Sequence, residues 1–183
     1  MTGSKGYRAE GTFGFETESL DMGTNVTKNE KFDHIKRESL EAVIPHFKGR
    51  YLQDPPIYSA IHKDGKRLYD LARAGATAND VDIKPRAVEV FELDLLAFNS
   101  PKFEIEVFSA SGFYIRSLIR DIGYSLDSVA TTTKLQRIKQ GPFTMDHVLR
   151  QEDWTVEKIN EAIAAWNAVR VVDESFTSLP QIE

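Results

Sequence analysis

Arg116 closes the segment Ser111-Gly112-Phe113-Tyr114-Ile115-Arg116, where an alternating strand pattern gives way to an amphipathic helix. The arginine falls in that helix's first turn, at the positive end of the macrodipole. A cation there costs a few tenths to about 1 kcal/mol unless an anion faces it, so an anionic partner is expected. Arg120 follows four residues later on the same face, as two groups gripping one anion would. The alternatives are a solvated face, or an ion pair with Asp121 or Glu89. A second cluster, His62-Lys63-Asp64-Gly65-Lys66-Arg67, sets three cations in a turn between Tyr58 and Tyr69. That mixture of charge and stacking surface suits single-stranded or looped RNA, although a charged turn is otherwise simply solvated. Tyr7, behind Lys5, is either a strand residue packed on the core or a stacking platform. Asp21, in Glu18-Ser19-Leu20-Asp21-Met22-Gly23, reads as a turn carboxylate.

The elements that must hold these groups are legible in outline. Tyr7 to Thr17 reads as a strand ended by the turn residues Asp21 to Asn25, and Thr27 to Asp33 as a shorter one. Leu40, Val43, Ile44 and Phe47 recur at helical spacing, predicting a helix over Arg37 to Phe47, capped by Asp33 and weakened at its end by Pro45. Gln53-Asp54-Pro55-Pro56 is expected to be irregular, and Ile57 to Ile61 to be a strand entering the Lys63 to Lys66 turn. A short helix over Tyr69 to Ala74, stopped by Gly75, precedes a loop over Ala76 to Lys84. Ala87 to Phe98 and Lys102 to Ser109 are the clearest strands and predict an antiparallel hairpin. Ile115, Leu118, Ile119, Ile122 and Leu126 mark a helix with one buried face over Tyr114 to Leu126. A strand with Lys134, Arg137 and Lys139 over Thr131 to Gln140, and a helix over Trp154 to Val169, complete the chain. Strands and helices mix without a βαβ repeat, which makes the class α+β.

Composition bounds the chemistry. A chain of 183 residues, 41% of them hydrophobic, suffices for one compact domain. With no cysteine there is no disulfide or thiolate site, and His34, His46, His62 and His147 lack ligand spacing, so neither metal nor cofactor is expected. No apolar run approaches the roughly 20 residues of a membrane span, and the first residues show no targeting pattern, so a soluble, intracellular protein is expected. A net charge of -5 confines any nucleic-acid site to a local basic patch.

Several blocks, in order, resemble the TruB family of tRNA pseudouridine synthases, in its eukaryotic branch. Lys5-Gly6-Tyr7 followed by Phe13-Gly14-x-x-Thr17-x-x-x-Asp21 is similar to the family's Lys-x-Tyr strand and the turn after it. Pro55-Pro56-Ile57-Tyr58-Ser59-Ala60 resembles its Pro-Pro-x-Tyr-Ser-Ala block, and Gly112-Phe113-Tyr114-Ile115-Arg116 its Gly-x-Tyr-Ile-Arg motif. Lys134-Leu135-Gln136-Arg137 through Gly141-Pro142-Phe143 resembles the Leu-x-Arg strand, and Val172 to Pro180 the end of the catalytic domain. The resemblance implies a mixed, largely antiparallel sheet with flanking helices. It also implies isomerisation of uridine 55 in the tRNA T-loop, with T-loop-like mRNA hairpins as further substrates, by a monomer acting away from membranes. In that chemistry an aspartate attacks the ribose of a flipped nucleotide, the freed uracil turns, and a carbon-carbon glycosidic bond forms. Tyr7 would stack on the flipped base and help proton transfer, Arg116 would pair with the nucleophilic aspartate, and Tyr114 and Leu135 would line the pocket. Tyr58, Lys63, Lys66, Arg67, Arg137 and Lys139 are the expected RNA contacts, the cations chosen from charge and position.

The family's Gly-x-x-x-Gly-Thr-Leu-Asp block, which carries the nucleophile upstream of the Lys-x-Tyr strand, has no counterpart in the sequence. Residues 1–183 are therefore read as the C-terminal portion of a TruB-type catalytic domain, a fragment or mis-started form of a complete enzyme, without turnover by itself. The alternative is a catalytically inactive RNA-binding module. On either reading Arg116 is expected to be an orphan, parted from its carboxylate.

Overall fold

The computed structural model describes residues 3–77 and 80–176. Where composition suggests one compact domain, the chain divides into two units, Met1–Pro142 and Phe143–Glu183. In the first, β1 (Lys5–Phe13), β4 (Gly49–Gln53), β7 (Arg86–Asn99), β8 (Lys102–Ser109) and β9 (Ala130–Gln140) form a sheet in the order β9-β1-β8-β7-β4. Each neighbouring pair is antiparallel. The expected hairpin is β7-β8, with Phe98 opposite Phe103 at its closed end.

One face of the sheet carries the core. Ala9 and Phe13 of β1, Leu93 of β7, and Phe103, Ile105 and Val107 of β8 alternate inward and are nearly inaccessible. Against them packs α3 (Ile115–Ser125), whose Ile115, Leu118, Ile119 and Ile122 form the stripe that the spacing predicts. Leu40 of α1 (Arg37–Val43) and Ile44 join the same cluster. Helix α1 starts after Lys36, not Asp33, and beyond Val43 tightens into a 3-10 turn over Ile44–Phe47, since Pro45 has no N–H to donate back. The first strand is cut at Gly14, whose φ of 102° a side chain would strain. Beyond it β2 (Phe15–Thr17) pairs with β3 (Val26–Asn29), shorter than the Thr27 to Asp33 expectation.

Two local expectations are overturned. Gln53 ends an edge strand instead of opening an irregular segment, and Ile57 to Ile61 form no strand. Ile57 instead anchors a satellite cluster with Leu68, Ala72 and Val81, and its carbonyl accepts the Ser59 N–H in a tight turn. A two-residue hairpin, β5 (His62–Lys63) and β6 (Lys66–Arg67), follows, with Asp64 and Gly65 at φ 51° and 79° in its turn. It leads into α2 (Leu68–Arg73).

The outer sheet face is polar. Glu10 of β1 accepts hydrogen bonds from Thr133 Oγ1 (2.8 Å), Lys134 Nζ (3.0 Å) and Lys102 Nζ (3.3 Å). Lys134 above all, with Thr133 and then Lys102, holds its carboxyl down at about 2 against an ordinary 4.5. A depressed carboxyl stabilises the fold fully above its unfolded value and loses that contribution as pH falls through its folded one. Glu10→Gln is therefore expected to remove part of the acid-induced loss of stability between pH 4.5 and 2, worth about 1 kcal/mol or less. Urea unfolding across that range checks it; identical acid limbs would contradict it.

The second unit holds β10 (Phe143–Thr144), two short 3-10 turns and α4 (Val156–Phe176). Trp154 precedes α4 instead of opening it and is exposed. Phe143 packs on Trp166 at 4.3 Å between ring centres, with His147 edge-on at 5.5 Å from Trp166. Of the tail Val172 to Pro180, residues 177–180 lie outside the described part, as do residues 78 and 79 of the expected loop.

Candidate active site

Arg116 is not an orphan. Its Nη1 donates to Asp21 Oδ2 at 2.8 Å and to the Ser19 carbonyl at 2.8 Å, while Nη2 donates to the Tyr58 carbonyl at 2.7 Å. The anion that the helix terminus demands is thus the turn carboxylate, 95 residues away in sequence, and two carbonyl dipoles complete the neutralisation. The planar guanidinium suits this task, presenting several N–H groups in a fixed fork.

Asp21 is held as firmly. Its Oδ1 accepts from Ser19 Oγ (2.6 Å) and from the Gly23 N–H (2.9 Å), an Asx-type turn, so neither carboxylate oxygen lacks a donor. Thr24 Oγ1 accepts the Ser19 N–H at 2.9 Å, and Thr17 Oγ1 donates to the Asp21 carbonyl. Thr17 and Ser19 are 2% and 4% exposed, so this is a turn tucked against the protein. A parallel bridge from Asp21 to Thr132 ties it to β9.

Asp21, Met22, Arg116, Thr132, Thr133, Lys134 and Leu135 line an open cleft of about 390 Å³. Leu135 offers a half-exposed apolar edge, and the buried Thr132 Oγ1 makes no hydrogen bond among the described residues. A cleft with one apolar wall, a fixed cation and a polar floor can orient a planar polar ring and steady negative charge near Arg116. With both oxygens committed to donors, Asp21 is a holder of Arg116 and a poor nucleophile. Among the described residues, no three acidic or histidine side chains gather to hold a metal ion.

A pseudouridylate synthase family model now decides the family: the TruB N-terminal domain matches residues 1–115, well over half of the chain. The chain belongs to the TruB family. Pseudouridylate synthase TRUB1 of Homo sapiens is 41% identical over 165 residues, covering 89% of this chain and 46% of that protein. The tRNA pseudouridine synthase B of Clostridium tetani is 38% identical over 186 residues, covering 98% of this chain and 63% of that protein. The chain therefore spans about half to somewhat under two thirds of these curated relatives. Among solved structures, a Cbf5-Nop10-Gar1 complex matches with a TM-score of 0.58 at 22% identity, covering 83% of this chain and 35% of that one. An archaeal box H/ACA Nop10-Cbf5 complex gives 0.54 at 20% identity, covering 88% and 39%. Those two likenesses concern the fold.

The TruB-type residues singled out in the sequence are distributed unevenly. Arg116 and Leu135 share the cleft; Tyr7 and Tyr114 do not line it. Tyr7 belongs to the core cluster, 8% exposed, with the Arg137 guanidinium 5.6 Å from its ring centre. Tyr114 precedes α3, its backbone held by Gln53. Arg116 and Arg120 do not grip one anion. Arg120 pairs with Asp121 at 2.7 Å and reaches the Asp54 carbonyl, while Glu89 is taken by Arg50 at 2.9 Å. Burial keeps the Asp121 carboxyl above its usual range despite that arginine.

The expected RNA contacts fall into two groups. Lys63, Lys66 and Arg67 sit on the β5-β6 hairpin, where Lys63 Nζ bonds the Asp82 carbonyl and Arg67 donates to Tyr69 Oη. Arg137 and Lys139 lie on β9, the second with its ammonium 6.0 Å from the Phe108 ring centre. Tyr58 precedes the hairpin in sequence and its carbonyl accepts from Arg116; burial, with Glu18 at 3.3 Å from its hydroxyl, pushes its phenol up. Asp21 and Gln53 are the residues whose part in the site the sequence reading missed. The run of small polar residues Thr17, Ser19, Asp21 and Thr24 was the available signal for the first; nothing local marked the second.

Proposed function

We propose that the full gene product isomerises uridine 55 in the tRNA T-loop to pseudouridine, with Arg116 steadying charge where the base is exchanged. What carries this reading is the fixed Arg116–Asp21 pair lining a cleft together with Leu135, in a chain of the TruB family. The reaction breaks the N1–C1′ bond, forms C5–C1′, and transfers the C5 proton away as N1 gains one. The covalent step is assigned to an aspartate other than Asp21, whose carboxylate is engaged in holding Arg116 and the turn. T-loop-like hairpins in mRNA present the same looped uridine and are substrates on the same grounds.

Tritium at C5 of uridine is released only when C5 is substituted, which makes its release from a T-arm stem-loop the direct assay. Release by the full gene product is expected; binding without release would instead support an inactive RNA-binding module. The hairpin cations contribute through phosphate neutralisation, so Lys66→Ala is expected to weaken T-arm binding and lower the slope of log affinity against log salt by roughly 1. A titration at several salt concentrations checks it, and an unchanged slope would remove Lys66 from the interface.

A further inference from the structure

Gln53 is 1% exposed, and its whole amide is spent on one residue. Oε1 accepts the Tyr114 N–H at 3.0 Å and Nε2 donates to the Tyr114 carbonyl at 3.1 Å. A primary amide offers a donor and an acceptor side by side, so this pair imitates one rung of a strand ladder and fixes orientation as well as distance. Tyr114 is the residue from which α3 starts, two positions before Arg116. The contact continues along the helix: the Asp54 carbonyl accepts from Ser117 Oγ at 2.8 Å and from Arg120 Nη2 at 3.2 Å. The Tyr58 carbonyl then accepts from Arg116 itself. Between these points Pro55, Pro56 and Ile57 are buried and their backbone is restricted. Residues 53–58 therefore form a strap along the first turns of α3, anchored at one end by Gln53 and ending on the guanidinium.

We propose that Gln53 is a positioning residue for the isomerisation, clamping the start of α3 so that Arg116 stays in register with Asp21 and the Tyr58 carbonyl. The proposal rests on the function assigned above. A fully buried polar side chain, two residues before the Pro-Pro-x-Tyr-Ser-Ala block and 63 residues before Arg116, thereby gains a defined part in the reaction. Three acceptors fix the Arg116 fork, and a misplacement of about 1 Å in such an arrangement costs up to about 100-fold in rate.

Gln53→Leu keeps the volume and removes both hydrogen bonds. In the full gene product acting on a T-arm stem-loop, it is expected to lower kcat about 10-fold with KM within about twofold, because the expected cationic RNA contacts lie on the β5-β6 hairpin and β9, outside the strap. Gln53→Glu provides a conditional rescue. The carboxylate can accept the Tyr114 N–H but cannot donate to its carbonyl; the protonated acid does both, and burial raises its pKa. The activity of Gln53→Glu relative to the parent is therefore expected to rise as pH falls, and a flat ratio overturns the proposal, also where Gln53→Leu fails to fold. Independently of turnover, hydrogen exchange of the Arg116 guanidinium protons, followed by NMR in the full gene product, is expected to speed up in Gln53→Leu. Unchanged exchange overturns the clamp. A parent protein without isomerase activity would sink the functional reading alone, and the exchange measurement would still decide the clamp.

Discussion

Arg116→Met in the full gene product is expected to lower the single-turnover rate of uridine isomerisation at least about 100-fold while the protein stays folded. Loss of one preorganised electrostatic group at a reacting centre typically costs on the order of 100- to 1,000-fold. Here the group is held by three acceptors and faces an open cleft, so its field is already aimed when the base arrives. The cost in stability is smaller. The Arg116 and Asp21 side chains are 21% and 38% exposed, so water can replace the lost partner, and about 1 kcal/mol is expected. Arg116→Lys retains the charge but cannot reach three acceptors from one ammonium, and most of the rate should be lost with it. A variant within about threefold of the parent would show that Arg116 is merely structural.

The largest expected effect on folding comes from Gly123→Ala. Gly123 lies in the last turn of α3 where the helix meets the start of β9, and an added Cβ would stand 2.7 Å from the Ala130 nitrogen and 2.8 Å from the Val129 carbonyl carbon. These are backbone atoms, so no rotamer change relieves the clash. Helix and strand must separate, and both carry the site: Arg116 is on α3, and Thr132 to Leu135 are on β9. Overpacking costs roughly 1–3 kcal/mol, occasionally more, and a collision with backbone belongs at the upper end. The urea midpoint should fall accordingly, with weakened activity in whatever folds. An unchanged midpoint would mean that α3 and β9 are less closely packed than described.

The elements that place Arg116 were legible because their signals are periodic. Ile115, Leu118, Ile119 and Ile122 allow only a one-faced helix, and the alternation of Phe103, Ile105 and Val107 allows only a strand. Edge strand β4 was hidden by Pro55 and Pro56 just beyond it, although prolines after a strand do not forbid the strand. The Ile57 to Ile61 error has a related cause: a short apolar run serves a satellite cluster as well as a sheet. The Arg116–Asp21 pair was illegible for a different reason. Both residues were conspicuous, yet a turn aspartate looks the same whether solvated or folded onto a helix 95 positions later. The family resemblance assigns Arg116 to another carboxylate, which makes an orphan of a residue whose local electrostatics call for a partner. Asp21 meets the electrostatic expectation, although its own sequence surroundings mark it only as a turn residue.

The proposed formation of the T-loop pseudouridine by the product of this gene can be read in tRNA itself. Position 55 should be mapped for pseudouridine in cells lacking the gene, and again after the gene is returned with and without Arg116→Met. Uridine is expected at position 55 in the deletion and in the Arg116→Met strain, and pseudouridine once the unaltered gene is returned. Pseudouridine persisting at position 55 in the deletion strain would contradict it.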